Sequence, residues 1–579
     1  MDMDTMGMDT KVKTKPPMTR SKIVLILLYI VLLWFVVVAL IIPNINTILF
    51  VFWQDGAFTM RAFERIFGSA RAVNSLRNSF ILAPILSITA GFIGISLVLI
   101  TEYFDVKGAK ILRLGYMTTL VYGGIILVSG YLFLYGRGGF ITNILASIFP
   151  NFNIHWFDGF WAVLFVMTFA TTGTHMIFLR NAMRSVDFQT VEAAKNLGAS
   201  PITILRRVVL PVLTPSLLVV TLFTFLAGLS ATSAPLLVGG NDFQTINPMI
   251  ISFSRMAGSR DLAALMALFL GGASILLIVV LAQLEKRGHY LSVSKVKTSI
   301  VKQKIHNPVV NVLVHIYAYV LFVIYAAPVV LIILFSFTDS ATIARGQLSL
   351  SSFTLDNYIL VFSRPSAYLP IRNSMLFAFL ASAAVMILVL VVCRLITKHK
   401  NKMSTFLEYA FMIPWMLPVV LIALALITTY SLPRWFMGNQ VLTGTMTIMV
   451  LGYLIIRIPF TLRITRAAFF SLDSTYEEAA KNLGAGAMYT FFRIILPIIL
   501  PSMLAIFALN FNSLLQEFDM SVLMFHPLYM PLGVQIQNLT EDAAIGDNRA
   551  ITFVYAVLIM VISTIVLYVV YGRGSKGLE

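Results

Sequence analysis

Of 579 residues, 59% are hydrophobic and only 12% charged, with a formal net charge of +17. A soluble domain is about 45–50% apolar and about 25% charged, so a string of soluble domains is excluded and the chain needs lipid around it. The lone Cys393 cannot close an internal disulfide, and so many aromatic and β-branched residues exclude a disordered regulator.

The chain opens with a polar tail, residues 1–22, followed by an apolar run over 23–42. About 20 residues at 1.5 Å each cross a hydrocarbon core, and the run is too long for the apolar part of a cleaved signal peptide. Further spans are expected near 78–100, 112–134, 159–179, 211–237 and 262–284. They resume after a polar interval near 309–336, 373–396, 405–428, 441–461, 497–523 and 551–571. Pro414 and Pro418 should kink the ninth span, where the first half offers Gly123 opposite Pro418. Glu102 and Glu408 should lie at membrane interfaces. If the N-terminus is cytoplasmic, 29 Lys and Arg fall inside and 12 outside, with Arg457 left within a span. That is the positive-inside pattern. It places both termini in the cytoplasm and accounts for the net charge without a nucleic-acid partner.

The six-plus-six pattern is a tandem duplication. Residues 192–199, Glu-Ala-Ala-Lys-Asn-Leu-Gly-Ala, recur unchanged at 478–485, an offset of 286. The match extends through Arg180, Ser185 and Asp187 against Arg466, Ser471 and Asp473, and through Arg207, Pro211 and Pro215 against Arg493, Pro497 and Pro501. Arg77-Asn78-Ser79 recurs as Arg372-Asn373-Ser374 at an offset of 295, so the second half is nine residues shorter between its third and fourth spans. The expected units are halves 23–284 and 309–579, joined by a basic cytoplasmic linker, 285–308.

The repeated segments, 187–211 and 473–497, lie between the fourth and fifth span of each half. Asp187 and Asp473 suit N-caps, and Ser474 with Glu477 fits a capping box. Gly198 and Gly484 suit the left-handed position after a helix, and Ser200-Pro201 a restart. Each segment reads as a short helix–turn–helix beneath the membrane.

Glu-Ala-Ala, then Gly four positions on, then Leu-Pro resembles the EAA loop of binding-protein-dependent ABC importer permeases, and the resemblance covers nearly the whole chain. It implies an all-α type I importer fold in which each loop is a coupling helix seated in an ATP-binding subunit. Glu192, Ala193, Ala194 and Gly198 would form one coupling site and Glu478, Ala479, Ala480 and Gly484 the other, supported by Asp187, Arg207, Asp473 and Arg493. The implied partners are two ATPase subunits, an external solute-binding protein and membrane lipid, in a prokaryotic cell membrane. The sequence contains no G-x-x-x-x-G-K-[ST] phosphate loop, so ATP and Mg belong to the partners and this chain is not expected to be an enzyme or to hold a cofactor.

Fused two-half permeases most resemble those of ferric-iron importers, with thiamine, aminoethylphosphonate and polyamine systems as relatives. A carrier of the six-plus-six kind run by an ion gradient explains the spans but not the loops. Asn512, Gln516, Glu517 and Asp519 near the outer end of the eleventh span, with Ser230 and Ser233 opposite them in the first half, are candidates for the pathway. Glu517 and Asp519 read either as a cation-attracting stretch or as a solvated helix end. His175 and His315 read as single buried imidazoles, the methionines as packing, and no cluster has metal-ligand spacing.

Overall fold

Helix is the only way a chain this apolar can satisfy its backbone in lipid short of a closed barrel, and the computed structural model is built almost entirely of it. It describes residues 20–256, 258–287, 302–339, 342–343, 350–399, 401–473, 475–541 and 548–572. Most of the tail, Lys295 and Lys297 of the linker, and Ser474 lie outside the described residues. Among those described, 11 helices are long and apolar enough to cross a membrane, and a pair bent by 105°, Lys402–Trp415 with Val419–Tyr430, makes a twelfth. One short hairpin, Trp53–Gln54 against Ala57–Phe58, is the only two-stranded sheet among them.

The spans differ from the expected stretches where the backbone is interrupted. The ninth breaks at Met416–Pro418, as its prolines require, and the third breaks too: it runs Ala109–Leu120 and restarts as Gly124–Tyr135. Gly124 there has φ +56°, open to glycine and strained for other residues. Two different local sequences, Pro-based and Gly-based, thus break the chain at the same place in each half. The expected 211–237 and 497–523 do not run through as single helices. They end at Leu229 and Leu515, and short helices Ser233–Val238 and Ser521–Met524 follow. The extra nine residues of the first half lie between its third and fourth spans, in a stretch that carries the helix Phe140–Ile148.

Each half lends its first span to the other. The first span packs on the ninth: the Tyr430 hydroxyl donates to the Val38 carbonyl at 2.7 Å, and Tyr29 meets Ser404 at 2.8 Å. The seventh packs on the third: Tyr116 donates to the Ala318 carbonyl at 2.7 Å, and the Lys107 amide donates to His315 Nε2 at 3.2 Å. Two buried clusters follow this exchange. One joins Leu32 and Val36 to Phe377 and Tyr430, and the other joins Ala318 and Tyr325 to Tyr116 and Tyr131. The linker is docked as well, since Gln303 forms a parallel bridge to Phe104 at the end of the second span.

Candidate functional site

Both repeated loops lie at one end of the bundle, called here the repeat end. The first helix, Phe188–Asn196, is capped by Asp187, whose carboxylate accepts from the Gln189 amide at 3.0 Å and the Thr190 hydroxyl at 3.0 Å. The second, Thr475–Asn482, has Asp473 accepting from the Thr475 amide at 3.0 Å. Both end alike. Gly198 and Gly484 hold φ of +79° and +78°. Their amides donate to the carbonyls of Lys195 and Lys481 at 3.0 Å, and Ala199 and Ala485 reach back to Ala194 and Ala480 at 3.0 and 2.9 Å. These bonds satisfy the last carbonyls of a short helix. Ser200 caps the restart at Pro201, accepting from the Thr203 amide, and Gly486 stands in its place in the second loop. A widened turn follows in each, Leu205–Val209 and Phe491–Ile495, just ahead of Pro211 and Pro497. A proline ring crowds the carbonyl four residues back, which favours such a turn. Arg207 and Arg493 sit in these turns, exposed.

Along each helix Glu192 and Glu478, and Ala193 and Ala479, are exposed, while Ala194 is half-buried and Ala480 buried. The anchors differ. Val191 is buried in the first helix, whereas its equivalent in the second, Glu477, pairs with Arg394 at the end of the eighth span.

Two features escaped the sequence reading. Leu197 and Leu483, just before the turning glycines, are 88% and 87% exposed, and Ile202 and Met488 are 77% and 68% exposed. Four large apolar side chains at equivalent places on a water-facing loop are the mark of an unfilled interface. The signal was present, since Leu precedes Gly in both copies. The second feature is a pair of ionic clamps. Arg180, at the repeat end of the fourth span, pairs ionically with Glu102 at 2.9 Å, and Glu102 also takes Arg113 at 3.4 Å. Its counterpart Arg466 pairs with Glu408. The arginines match at the offset of 286, but the carboxylates come from different places, the end of the second span and the start of the ninth.

The residues expected along the pathway gather where the fifth and eleventh spans break. Gln516 accepts from the Gly123 amide at 2.9 Å and donates to the Val121 carbonyl at 3.3 Å, fastening the second half to the break in the third span. Glu517 accepts from the Met520 and Ser521 amides at 2.8 and 3.2 Å and from the Ser521 hydroxyl at 2.9 Å, so it caps the helix Ser521–Met524. Asp519, two residues on, is half-buried. The Ser230 carbonyl accepts from Asn247 at 2.8 Å, Ser233 opens its own short helix, and Asn512 is buried with its Oδ1 unpartnered. Among the described residues no group of three His, Cys, Asp or Glu is placed to hold a metal. His175 is buried against Gly94.

The chain is 35% identical over 544 residues to a protein of Sinorhizobium fredii named as a probable ABC transporter permease, covering 93% of this chain and 95% of that one. The chain belongs to the ABC transporter permease family. Residues 386–573 of the permease match the family described as the inner membrane component of binding-protein-dependent transport systems. The permease is also 22% identical over 551 residues to a ferric transport system permease of Actinobacillus pleuropneumoniae, covering 94% of this chain and 77% of that one. Over 30% of its length it is 28% identical to a probable sulfate transport system permease of Prototheca wickerhamii, of which it covers 70%. The permease is thus a multi-pass, all-α membrane subunit of the importer class in two fused halves, and the ion-gradient carrier is set aside.

Proposed function

We propose that this permease forms the translocation pathway of an ATP-driven importer in a prokaryotic cell membrane, with both termini and the repeat end in the cytoplasm. Its two loops seat on two separate ATPase subunits, which bind ATP and Mg, and an external binding protein delivers the solute. The observation that carries this reading is the pair of loops, alike in cap, turn and glycine, each presenting unburied leucine beside the helix. Closure of the ATPases around nucleotide would favour one arrangement of the loops, and the spans would follow. Asn512, Gln516, Glu517, Asp519, Ser230 and Ser233 then lie at the constriction where the halves meet.

The cargo we propose is ferric iron. Its support is likeness along nearly the whole chain to a permease named for ferric transport. The test is reconstitution with the neighbouring ATPase and binding protein. Uptake of radiolabelled iron should need ATP and should stop when Leu197 and Leu483 are both changed to Asp. Iron uptake that proceeds without ATP would overturn the mechanism, and ATP-coupled uptake of another solute in its place would overturn the cargo.

A further inference from the structure

Arg457 stands at the middle of the tenth span, Met446–Phe470, some 16–20 Å of helix from either end. Arginine stays protonated in proteins, and a charge at that depth is costly unless it faces a polar space. Its setting is built. Nε donates to Asn510 Oδ1 at 2.9 Å and Nη1 to Ser513 Oγ at 3.1 Å, and the guanidinium lies 4.5 Å over the ring of Phe460. Asn510 is fully buried and held by Thr461 at 2.8 Å, and Thr461 in turn donates to the Arg457 carbonyl at 2.7 Å. Every one of these partners is neutral. None of the ion pairs among the described residues includes Arg457, and Nη2 has no protein acceptor.

Arg457 and Ser513 are not fully buried. A permanent cation in contact with open space inside a span points to water rather than lipid. Six residues on, Arg463 lies about 120° around the helix, its guanidinium 4.1 Å over the ring of Trp415 of the ninth span, so it faces a different neighbour. The position equivalent to Arg457 in the first half is Thr171, so this cation belongs to the second half alone. Glu517, four residues beyond Ser513, accepts from the Met520 and Ser521 amides rather than from Arg457.

We propose that Arg457 is an anion site on the pathway, built to take an oxyanion or carboxylate group of the passing solute. A guanidinium edge pinned by Asn510 and Ser513 and backed by Phe460 presents its remaining N–H groups to two oxygens of one anionic group. The group has two sources, a free oxyanion such as sulfate or the organic ligand of a ferric chelate such as citrate. The inference rests on the importer reading and refines its cargo: iron taking this route travels with its anion rather than as a bare cation.

The test needs neither ATPase nor binding protein, so its failure is separable from failure of the coupling reading. The purified permease in lipid nanodiscs is titrated with sodium sulfate and with ferric citrate, against sodium chloride at equal ionic strength, and binding is read by calorimetry and thermal shift. Saturable binding of sulfate assigns a free oxyanion, and binding of ferric citrate alone assigns the chelate. In either case R457Q should weaken it by about ten- to hundredfold and R457K by less, while R463Q, on another face of the span, should leave it unchanged. If R457Q fails to fold, R457K against the R463Q control carries the comparison. No saturable binding by the wild type, chloride competing equally, or binding indifferent to the Arg457 variants would overturn the proposal.

Discussion

A Cβ built at Gly198 or Gly484 meets nothing within 4 Å, although the backbone there has φ of +79° and +78°. Substitution at these positions is therefore a clean conformational perturbation, with no collision to confuse it. An L-residue forced into the left-handed region costs about 1–2 kcal/mol, least for Asn and most for a β-branched side chain. That corresponds to a shift of about five- to thirtyfold against the capped turn. The turn carries Leu197 or Leu483 on one side and the restart toward the next span on the other, so loosening it should disconnect the loop from the span and spare membrane insertion. In proteoliposomes holding the full assembly, Gly198→Val with Gly484→Val should lower the solute moved per ATP hydrolysed by at least about fivefold. The corresponding Asn variants should stay near the wild type. Unaltered transport per ATP in the double Val variant, with normal amounts in the membrane, would refute the reasoning.

The apolar tips give a second prediction. A leucine buried at an interface contributes about 1.5–3 kcal/mol, so Leu197→Asp or Leu483→Asp should weaken capture of the ATPase by more than about tenfold at that site. Glu192→Lys should uncouple hydrolysis from uptake without removing the permease from the membrane, and equal uptake per ATP would count against it. The clamps give a third. Glu102→Gln leaves Arg180 and Arg113 without a carboxylate and should cost about 1–2 kcal/mol in a pair this exposed. Glu408→Gln should behave alike toward Arg466, and unchanged thermal unfolding of both would show the clamps to be idle. A fourth concerns acid. Hydrogen bonds from the Thr475 amide and hydroxyl hold the Asp473 carboxyl below its ordinary 3.8. A lowered carboxyl stabilises the loop above the ordinary value and loses that effect as pH falls through the lowered one. A dye on Asn482→Cys should therefore grow mobile below about pH 3.8, and Asp473→Ala should be mobile at every pH. An immobile dye in that variant would remove the cap from the account.

Much of this architecture is written locally. The spans come from apolar runs, the duplication from eight consecutive identities, and the loop ends from Asp187, Gly198 and Ser200, because caps and turns depend on residues within one helical turn of each other. What stayed hidden is long-range. Glu102 and Glu408 read as interfacial acids, since nothing near them in sequence names Arg180 or Arg466 as partner. Glu517 read as either a cation lure or a wet helix end, and its actual work as a cap follows from the break after Leu515, which hydropathy smooths over. Pro418 announced the break in the ninth span, whereas Gly123-Gly124 gave the same break in the third without a proline to mark it. Exchange of the first spans left no local trace, because an apolar helix face is equally content against any apolar neighbour.

That exchange sets an order of events during synthesis. The third span presents Tyr116 to the Ala318 carbonyl, but residue 318 enters the membrane only after the whole first half and the linker have been made. Until then the first half stands with an open seam that only the second can close. A ribosome stalled in the linker would leave an unfinished bundle, a natural substrate for membrane quality control.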